Sequence, residues 1–297
     1  MEVRRFTKGS RRATLASVAD SLRIASFNAE NFSLLLDRDY SREELEALDE
    51  GTYLALNPSI YNRNKERSKI AEIARIVREH DFDLLGLCEI GGLQTLEAFN
   101  RIYLDGRYDC FLHEENSSRG IFVGALLKKG RFPGARASNV PGDFSRNLLR
   151  LDLGEAGGGL TVFVLHLKSQ RGEDRGLEQR IDEVERLRTL VPARRCVVMG
   201  DFNGILIRGM HQFEFEPFLE LPLCDVLAAV GIPPERRRTH YFFGGRGFSQ
   251  LDYIFCTHDI HVQDAGVIEE DIPRNREERR RIPSDHLFIR ATIRIDE

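Results

Sequence analysis

Arg195-Cys196-Val197-Val198-Met199-Gly200-Asp201-Phe202-Asn203 is the stretch on which the reading of this chain turns. Its first part is a short apolar, β-branched run, which suits a buried strand. Gly200 interrupts the run, and a carboxylate and an amide follow two positions apart. On extended backbone, residues i and i+2 project to the same side. Asp201 and Asn203 are therefore expected to leave the end of a core strand side by side, where they can hold a water or a phosphoryl oxygen. Glycine, aspartate and asparagine are also ordinary turn residues, so a strand closed by an Asx-turn is the plain alternative. The other strand ends of the chain decide between the two.

Working outward, polar residues end or interrupt several other apolar runs. The alternating run 22–27 is followed by Asn28-Ala29-Glu30-Asn31, and the buried run 84–88 ends in Glu89. Residues 148–153 and 160–167 read as a hairpin around Gly157-Gly158-Gly159, and His166 lies near the end of the second arm. Asp252 sits in a strand over 251–255, and Ser284-Asp285-His286 precedes a final strand over 287–295. Further strands are predicted at 108–112, 121–128 and 261–268.

Helices fall between the strands. Ser41 and Glu44 form a capping-box signature for a helix over 41–49. Residues 65–80 place Ile70, Ile73, Ala74 and Val77 on one face, and 93–103 reads as another helix. Leu177, Ile181, Val184, Leu187 and Val191 are spaced as an amphipathic helix with its charges opposite. A short helix is expected at 225–230, a loop at 52–64, and 205–223 carries no clear pattern. Strand and helix signals mix from 22 to 295 without repeat or linker. The organisation expected is one α/β domain over 21–297, preceded by a flexible basic arm over 1–20.

Composition narrows the chemistry. The chain has 297 residues, 41% of them hydrophobic, with a net charge of −4 and a pI near 6.1. No global basic field draws it to nucleic acid, so phosphate chemistry must rest on local positive groups or a metal. The five cysteines form no CxxC pair and sit mostly in apolar runs, as free thiols of a reducing, cytoplasmic setting do. No apolar run reaches the length of a membrane span. The arginines and lysine of the first twelve residues are followed by no apolar segment of a signal peptide.

An unpaired carboxylate is expensive to bury, so strand interiors normally exclude such groups. Singly, each has an ordinary explanation: Glu89 and Asp285 as caps, His166 as a satisfied core histidine, Asp252 as a structural acceptor. Together, Asn28, Glu89, His166, Asp201, Asn203, Asp252, Asp285 and His286 suit metal-assisted phosphoester hydrolysis. Carboxylate and amide oxygens favour a hard cation, Mg²⁺ or alternatively Mn²⁺. The histidines would shuttle protons or donate to a phosphoryl oxygen.

At this point the sequence resembles the endonuclease/exonuclease/phosphatase superfamily. The motifs that carry the resemblance are Phe27-Asn28, Gly86-Leu87-Cys88-Glu89-Ile90, Leu165-His166-Leu167-Lys168-Ser169, Gly200-Asp201-Phe202-Asn203, Leu251-Asp252-Tyr253-Ile254 and Ser284-Asp285-His286, in the family's order. The resemblance implies a four-layered α/β sandwich, two packed mixed β-sheets flanked by helices, with the site at one edge. It implies Glu89 as main metal ligand, supported by Asn28 and Asp285. Asp201 would orient and deprotonate the attacking water, with Asn203 holding the water or phosphate. Asp252 would fix the tautomer of His286, which would contact a non-bridging oxygen, and His166 would stand near the leaving group. Cys88 occupies a position where the family usually has glutamine, and Glu30 is a further candidate ligand.

Arg119 and Lys168 are expected to neutralise substrate phosphate. Arg236-Arg237-Arg238 and the arginines at 274–281 could rim the pocket, or be solvated loops with their interleaved glutamates. The function expected is a metal-dependent phosphodiesterase, most specifically a nuclease. The alternatives are a phosphatase or phosphodiesterase for a small-molecule, inositol or lipid phosphate, and a catalytically silent binding protein.

Overall fold

The alternation of side chains along the run that opens at Cys196 sets the layers. Val197 and Met199 face one buried cluster, whereas Cys196 and Val198 face another. A strand buried on both faces must lie between two layers. In the computed structural model, which describes residues 21–59, 62–142, 144–170, 176–242, 247–269 and 282–295, this holds for both sheets.

The elements run β1 (Leu22–Phe32), α1 (Arg42–Glu46), α2 (Glu50–Ala55), α3 (Arg67–His80), β2 (Leu84–Ile90), α4 (Leu93–Tyr103), β3 (Tyr108–Leu112), β4 (Phe122–Lys128), β5 (Arg136–Asn139), β6 (Leu149–Asp152) and β7 (Thr161–His166). They continue α5 (Leu177–Leu190), β8 (Cys196–Asp201), α6 (Glu216–Leu219), β9 (Leu223–Asp225), α7 (Val226–Ala229), β10 (His240–Phe242), β11 (Gly247–Ser249), β12 (Asp252–Thr257), β13 (Ile260–Val267) and β14 (Ile289–Ile295). One six-stranded sheet has the order β13-β14-β1-β2-β4-β3 and the other β5-β6-β7-β8-β12-β9. Ile24, Leu84 and Ile293 of the first sheet share a cluster with Val164, Met199 and Ile254 of the second. The outer face of the first sheet packs on α3 and α4, and that of the second on α5 and α6. The result is the expected four layers.

Each sheet is mixed in the same way. β1 and β2 are a parallel pair with antiparallel neighbours, and so are β7 and β8. The C-terminal ends of both parallel pairs, and the starts of the chains antiparallel to them, therefore meet at one edge. His166 pairs in register with Asp201, and Asp201 with Asp252. Among the described residues no helix is long and apolar enough to cross a membrane.

Several boundaries differ from the sequence reading. The capping box at Ser41 and Glu44 forms, but its helix stops at Glu46. Asp49 then caps a second helix, α2, where a loop was expected, because its carboxylate accepts from the Thr52 amide at 2.9 Å. The unpatterned stretch holds a 3₁₀ turn and α6, with Phe215 and Phe218 buried. The buried face of α5 carries Arg180 and Glu183, which were expected in solvent. Glu183 accepts from the amides of Ser145 and Lys168, and Arg180 pairs with buried Glu214 at 2.8 Å, so the helix anchors the loops around it. The segments 1–20 and 270–281, with their basic clusters, lie outside the described residues.

Gly200 does not end its strand. It lies inside β8 at φ +138°, and a Cβ there would sit 1.9 Å from the Leu165 carbonyl oxygen of the paired strand. Neither backbone can retreat without opening the parallel pair. Gly200→Ala is therefore expected to lower stability by about 3 kcal/mol or more. Urea denaturation checks this, and a midpoint equal to that of the unaltered protein would refute the close approach.

Candidate active site

The two sheets end in the same local device. Asn28 Oδ1 accepts from the Glu30 amide at 3.0 Å, and Asp201 Oδ1 accepts from the Asn203 amide at 2.8 Å. Each polar side chain thus caps its own backbone two residues on. Asn203 has φ +51°, so Asp201 and Asn203 do not project side by side from extended backbone. The Asx-turn read as the plain alternative is present, and it serves the site by fixing the Asp201 carboxylate. The Asn203 amide nitrogen is held by the Leu167 carbonyl at 2.9 Å.

The first sheet carries more strain. Between Asn28–Cys88 and Phe32–Ile90 the pairing slips, with three residues of β1 opposite one of β2. Glu30, Asn31 and Glu89 there have φ of 47°, 50° and 62°. Left-handed backbone at such residues costs on the order of 1–3 kcal/mol each. The bulge turns the Asn31 amide onto Glu89 Oε2 at 2.8 Å, leaving Oε1 without a hydrogen bond among the described residues. Lys65 donates to the Glu30 carbonyl and braces the bulge from the foot of α3.

Asp201 is where the sheets join. It is 1% exposed, and its Oδ2 accepts from Asn28 Nδ2 at 3.0 Å across the inter-sheet gap. The same oxygen lies 3.4 Å from His166 Nε2 and 3.8 Å from His286 Nε2. Glu89 Oε1 is 4.0 Å from His166 Nε2, and Asp285 Oδ1 is 3.9 Å from His286 Nε2. Asp252 is fully buried and meets His286 Nδ1 at 2.8 Å, which turns Nε2 toward Asp201. Asn28, Glu89, His166, Asp201, Asp252, Asp285 and His286 thus come together. Asn203 adjoins them through its turn.

The electrostatics separate the two histidines. Burial pushes the His166 imidazole well below its usual range, with the charges of Arg146, His286 and Arg119 acting in the same direction. Burial acts against charge on His286 too, but Asp252 and Asp201 outweigh it and raise it to about 10. Burial raises Asp201; His286 opposes this, Asp252 adds to it, and the net value is about 7. One imidazole is neutral, the other charged, and a carboxyl poised near neutrality lies between them.

The predicted phosphate contacts divide. Arg119 reaches the bulge, with Nη2 3.3 Å from Asn31 Oδ1, and remains exposed. Lys168 is held through its backbone by Glu183 and Arg180, and among the described residues no contact ties its ammonium to the site. Arg237 is turned inward to Asp225 and the Ile232 carbonyl. Cys88 donates its thiol to the Leu165 carbonyl at 3.2 Å and bridges the sheets as packing.

Four residues were given no role by the sequence reading. Arg146 is 6% exposed, yet its guanidinium makes only long hydrogen bonds, 3.4 Å to Leu167 O and 3.5 Å to Ser145 Oγ. It lies close enough to Glu89 and Asp201 for their charges to act on it. Its signal was an arginine two residues before the apolar run 148–153. His240, from the short hairpin β10–β11, packs at a tilt against His286 with ring centres 4.6 Å apart and places Nε2 3.9 Å from Asp285. Thr239 Oγ1 accepts from the Leu251 and Asp252 amides, and Ser284 Oγ bridges the Asn28 carbonyl and the His286 amide. Thr239 and His240 lie at the start of a three-residue strand that carries no periodic signal.

The donor set fits a hard divalent cation. Glu89 Oε1 and buried Asp252 Oδ1 have no hydrogen-bond partner among the described residues. Asp201, Asp252 and His286, and likewise His240, Asp285 and His286, bring ligand atoms within 4.8 Å of one another. Neither group includes Glu89, and the 2.8 Å bond between His286 and Asp252 marks the first as a hydrogen-bonded cluster. Oxygen-rich sites of this kind suit Mg²⁺-type ions better than soft metals.

This fold and site define a hydrolase of phosphoester bonds that depends on a divalent metal. Residues 25–286 match the model of the Endonuclease/Exonuclease/phosphatase family, and the chain belongs to that family. Among solved structures it is similar to an endonuclease/exonuclease/phosphatase from Bacteroides vulgatus, with 14% identity, 93% of this chain and 100% of that one covered, and a TM-score of 0.61. It is similar to TDP2 of D. rerio complexed with single strand DNA product, at 17% identity, 92% and 98% coverage and a TM-score of 0.59. The corresponding values for a mannosyl-6-phosphatase of Bacteroides thetaiotaomicron are 20%, 92%, 99% and 0.57. None of the curated proteins compared by sequence matches the chain.

Because Arg146 makes few bonds of its own, Arg146→Met is expected to change stability by no more than about 1 kcal/mol, since removing a poorly paired buried charge costs little. Phosphoester hydrolysis is expected to fall at least about tenfold, in line with loss of a charge-assisted phosphate contact. Denaturation midpoints and initial rates measured on one preparation check both halves.

Proposed function

We propose that this chain is a phosphodiesterase acting on nucleic acid, a nuclease, with Mg²⁺ as its cation and Mn²⁺ as a substitute. The observation that carries the reading is the convergence on one buried carboxylate, Asp201, of an amide from the other sheet and two imidazoles in opposite charge states. Glu89, with Asn28 and Asp285, would hold the cation, and Glu89 Oε1 is the donor with no competing bond among the described residues. When bound, the cation supplies Lewis-acid polarisation of the phosphoryl group.

The chain's own residues divide the remaining work. Asp201, its carboxylate fixed by the Asn203 turn and the Asn28 amide, aims the attacking water and takes its proton. Asn203 keeps one amide hydrogen for the water or phosphate. His166, 3.4 Å from Asp201, stands near the leaving oxygen with its Nε2–H as the donor to it. Asp252 holds His286 with Nε2–H directed at a non-bridging oxygen. Arg119 and Arg146, and Lys168 at the rim, neutralise the phosphate. The free thiols support a cytoplasmic location, and the span of the family match supports one catalytic domain over 21–297.

Two features favour a second reading, a phosphatase for a small-molecule, inositol or lipid phosphate. The net charge is −4, and one similar structure is a mannosyl-6-phosphatase. A silent binding protein is the weakest reading, because the whole set of polar strand ends is retained. Plasmid, oligonucleotides, bis-p-nitrophenyl phosphate and inositol phosphates, each with Mg²⁺ or Mn²⁺, separate the three. Cleavage of nucleic acid is expected, abolished by EDTA and reduced in Asp201→Ala by about 10²–10⁴-fold, as for loss of a general base. Activity confined to small phosphates would move the assignment to a phosphatase, and inactivity on every substrate would leave only a binding role.

A further inference from the structure

A cleft of about 750 Å³ opens beside the candidate site, and none of the chemistry above uses it. One wall is Ile205, Ile207 and Met210, from the segment that follows Asn203; the other includes Arg238, Phe248 and Gln250. Met210 is 64% exposed, so an apolar surface faces solvent where the cleft opens. The Arg238 guanidinium lies over the Phe248 ring, 5.2 Å from its centre, so a cation covers one aromatic face at the cleft wall. Gln250 is only 3% exposed. Its Nε2 donates to Asp225 Oδ2 at 3.1 Å, which fixes the amide, and its Oε1 accepts no hydrogen bond among the described residues.

The cleft adjoins the reacting centre. Ser249 on its wall lies 3.4 Å from His240 Nδ1, and the His240 ring packs on His286. A group seated in the cleft is therefore two side chains from the histidine that faces Asp201.

We infer that the cleft is a subsite for a nucleobase attached to the scissile phosphoester. The base stacks on the Arg238 guanidinium where it covers the Phe248 ring, and packs on Met210. This rests on the phosphodiesterase reading and adds to it which part of the substrate is recognised. An acyl chain fits worse, because it would desolvate the Arg238 guanidinium without supplying an acceptor. Stacking on aromatic and guanidinium faces accepts any base, so the subsite confers a preference for nucleotides without reading sequence.

Two esters with one leaving group test it: thymidine 5′-p-nitrophenyl phosphate and methyl p-nitrophenyl phosphate, with Mg²⁺ or Mn²⁺. The unaltered protein is expected to show a KM about tenfold lower for the nucleoside ester, the size of one base-stacking contact. Met210→Ala and Phe248→Ala are each expected to bring the ratio of the two kcat/KM values toward one. The ratio is taken within one protein, so partial loss of fold does not mimic the effect. Equal KM values in the unaltered protein, or an undiminished ratio in both variants, would overturn the inference.

A second readout needs no turnover. An oligothymidylate carrying 4-thiothymidine is irradiated with the protein in EDTA, and adducts are expected within 205–210 or 248–250, the two walls of the cleft. Absence of adducts there would overturn the subsite. Adducts without hydrolysis of either ester would uphold the subsite and sink the phosphodiesterase reading. Hydrolysis of both esters at equal KM without adducts would do the reverse.

Discussion

A carboxylate buried between two sheets is the constraint on which this structure depends. Removing an ion such as Asp201 from water costs several kcal/mol unless partners replace the lost hydration. The partners come from four separate parts of the chain: Asn28 in β1, the Asn203 amide after β8, His166 at the end of β7, and His286 before β14. They can meet only if the two parallel strand pairs end at the same edge and the sheets pack face to face. The site and the four layers are thus one solution to one electrostatic problem.

The edge is held by parts that resist relaxation. The bulge of β1 against β2 keeps three non-glycine residues in left-handed conformations, and Gly200 presses on the Leu165 carbonyl in the other sheet. Buried arginine–glutamate contacts from α5 anchor the segments carrying Lys168 and Glu214. Strain of this kind persists only where surrounding structure over-determines it. Its effect here is to aim Glu89 and Asp201 into the same small volume.

Chemical division of labour follows from position. His166 and His286 are alike in sequence terms, each a histidine beside an apolar strand. Asp252 and Asp201 raise His286 against its burial, while burial, with Arg146 acting the same way, lowers His166. The hairpin β10–β11 and the segment after Asn203, which line the proposed base subsite, lie beside this centre and outside the two six-stranded sheets.

The four layers followed from the family resemblance, while the chain's apolar runs and their polar ends were enough to read most strands and helices and the polar residues gathered at the edge. These features are local: period-2 and period-3.6 patterns and strand-end carboxylates are written in neighbouring residues. The missed elements were short ones. α2 hangs on the local Asp49 cap, in a stretch too short to show a period, and β10–β11 depends on bridging between His240 and the distant His286. Arg146, Thr239, His240 and Ser284 gain their places only when distant segments are brought together. The same is true of the Asx-turn at Asn203, which local reading offered as an alternative to a phosphate-facing pair and which packing makes part of the site. Sequence alone determined which groups were available. The tertiary structure decided which of them share a carboxylate, which imidazole carries charge, and where a cleft opens beside them, because those depend on distances across the two sheets.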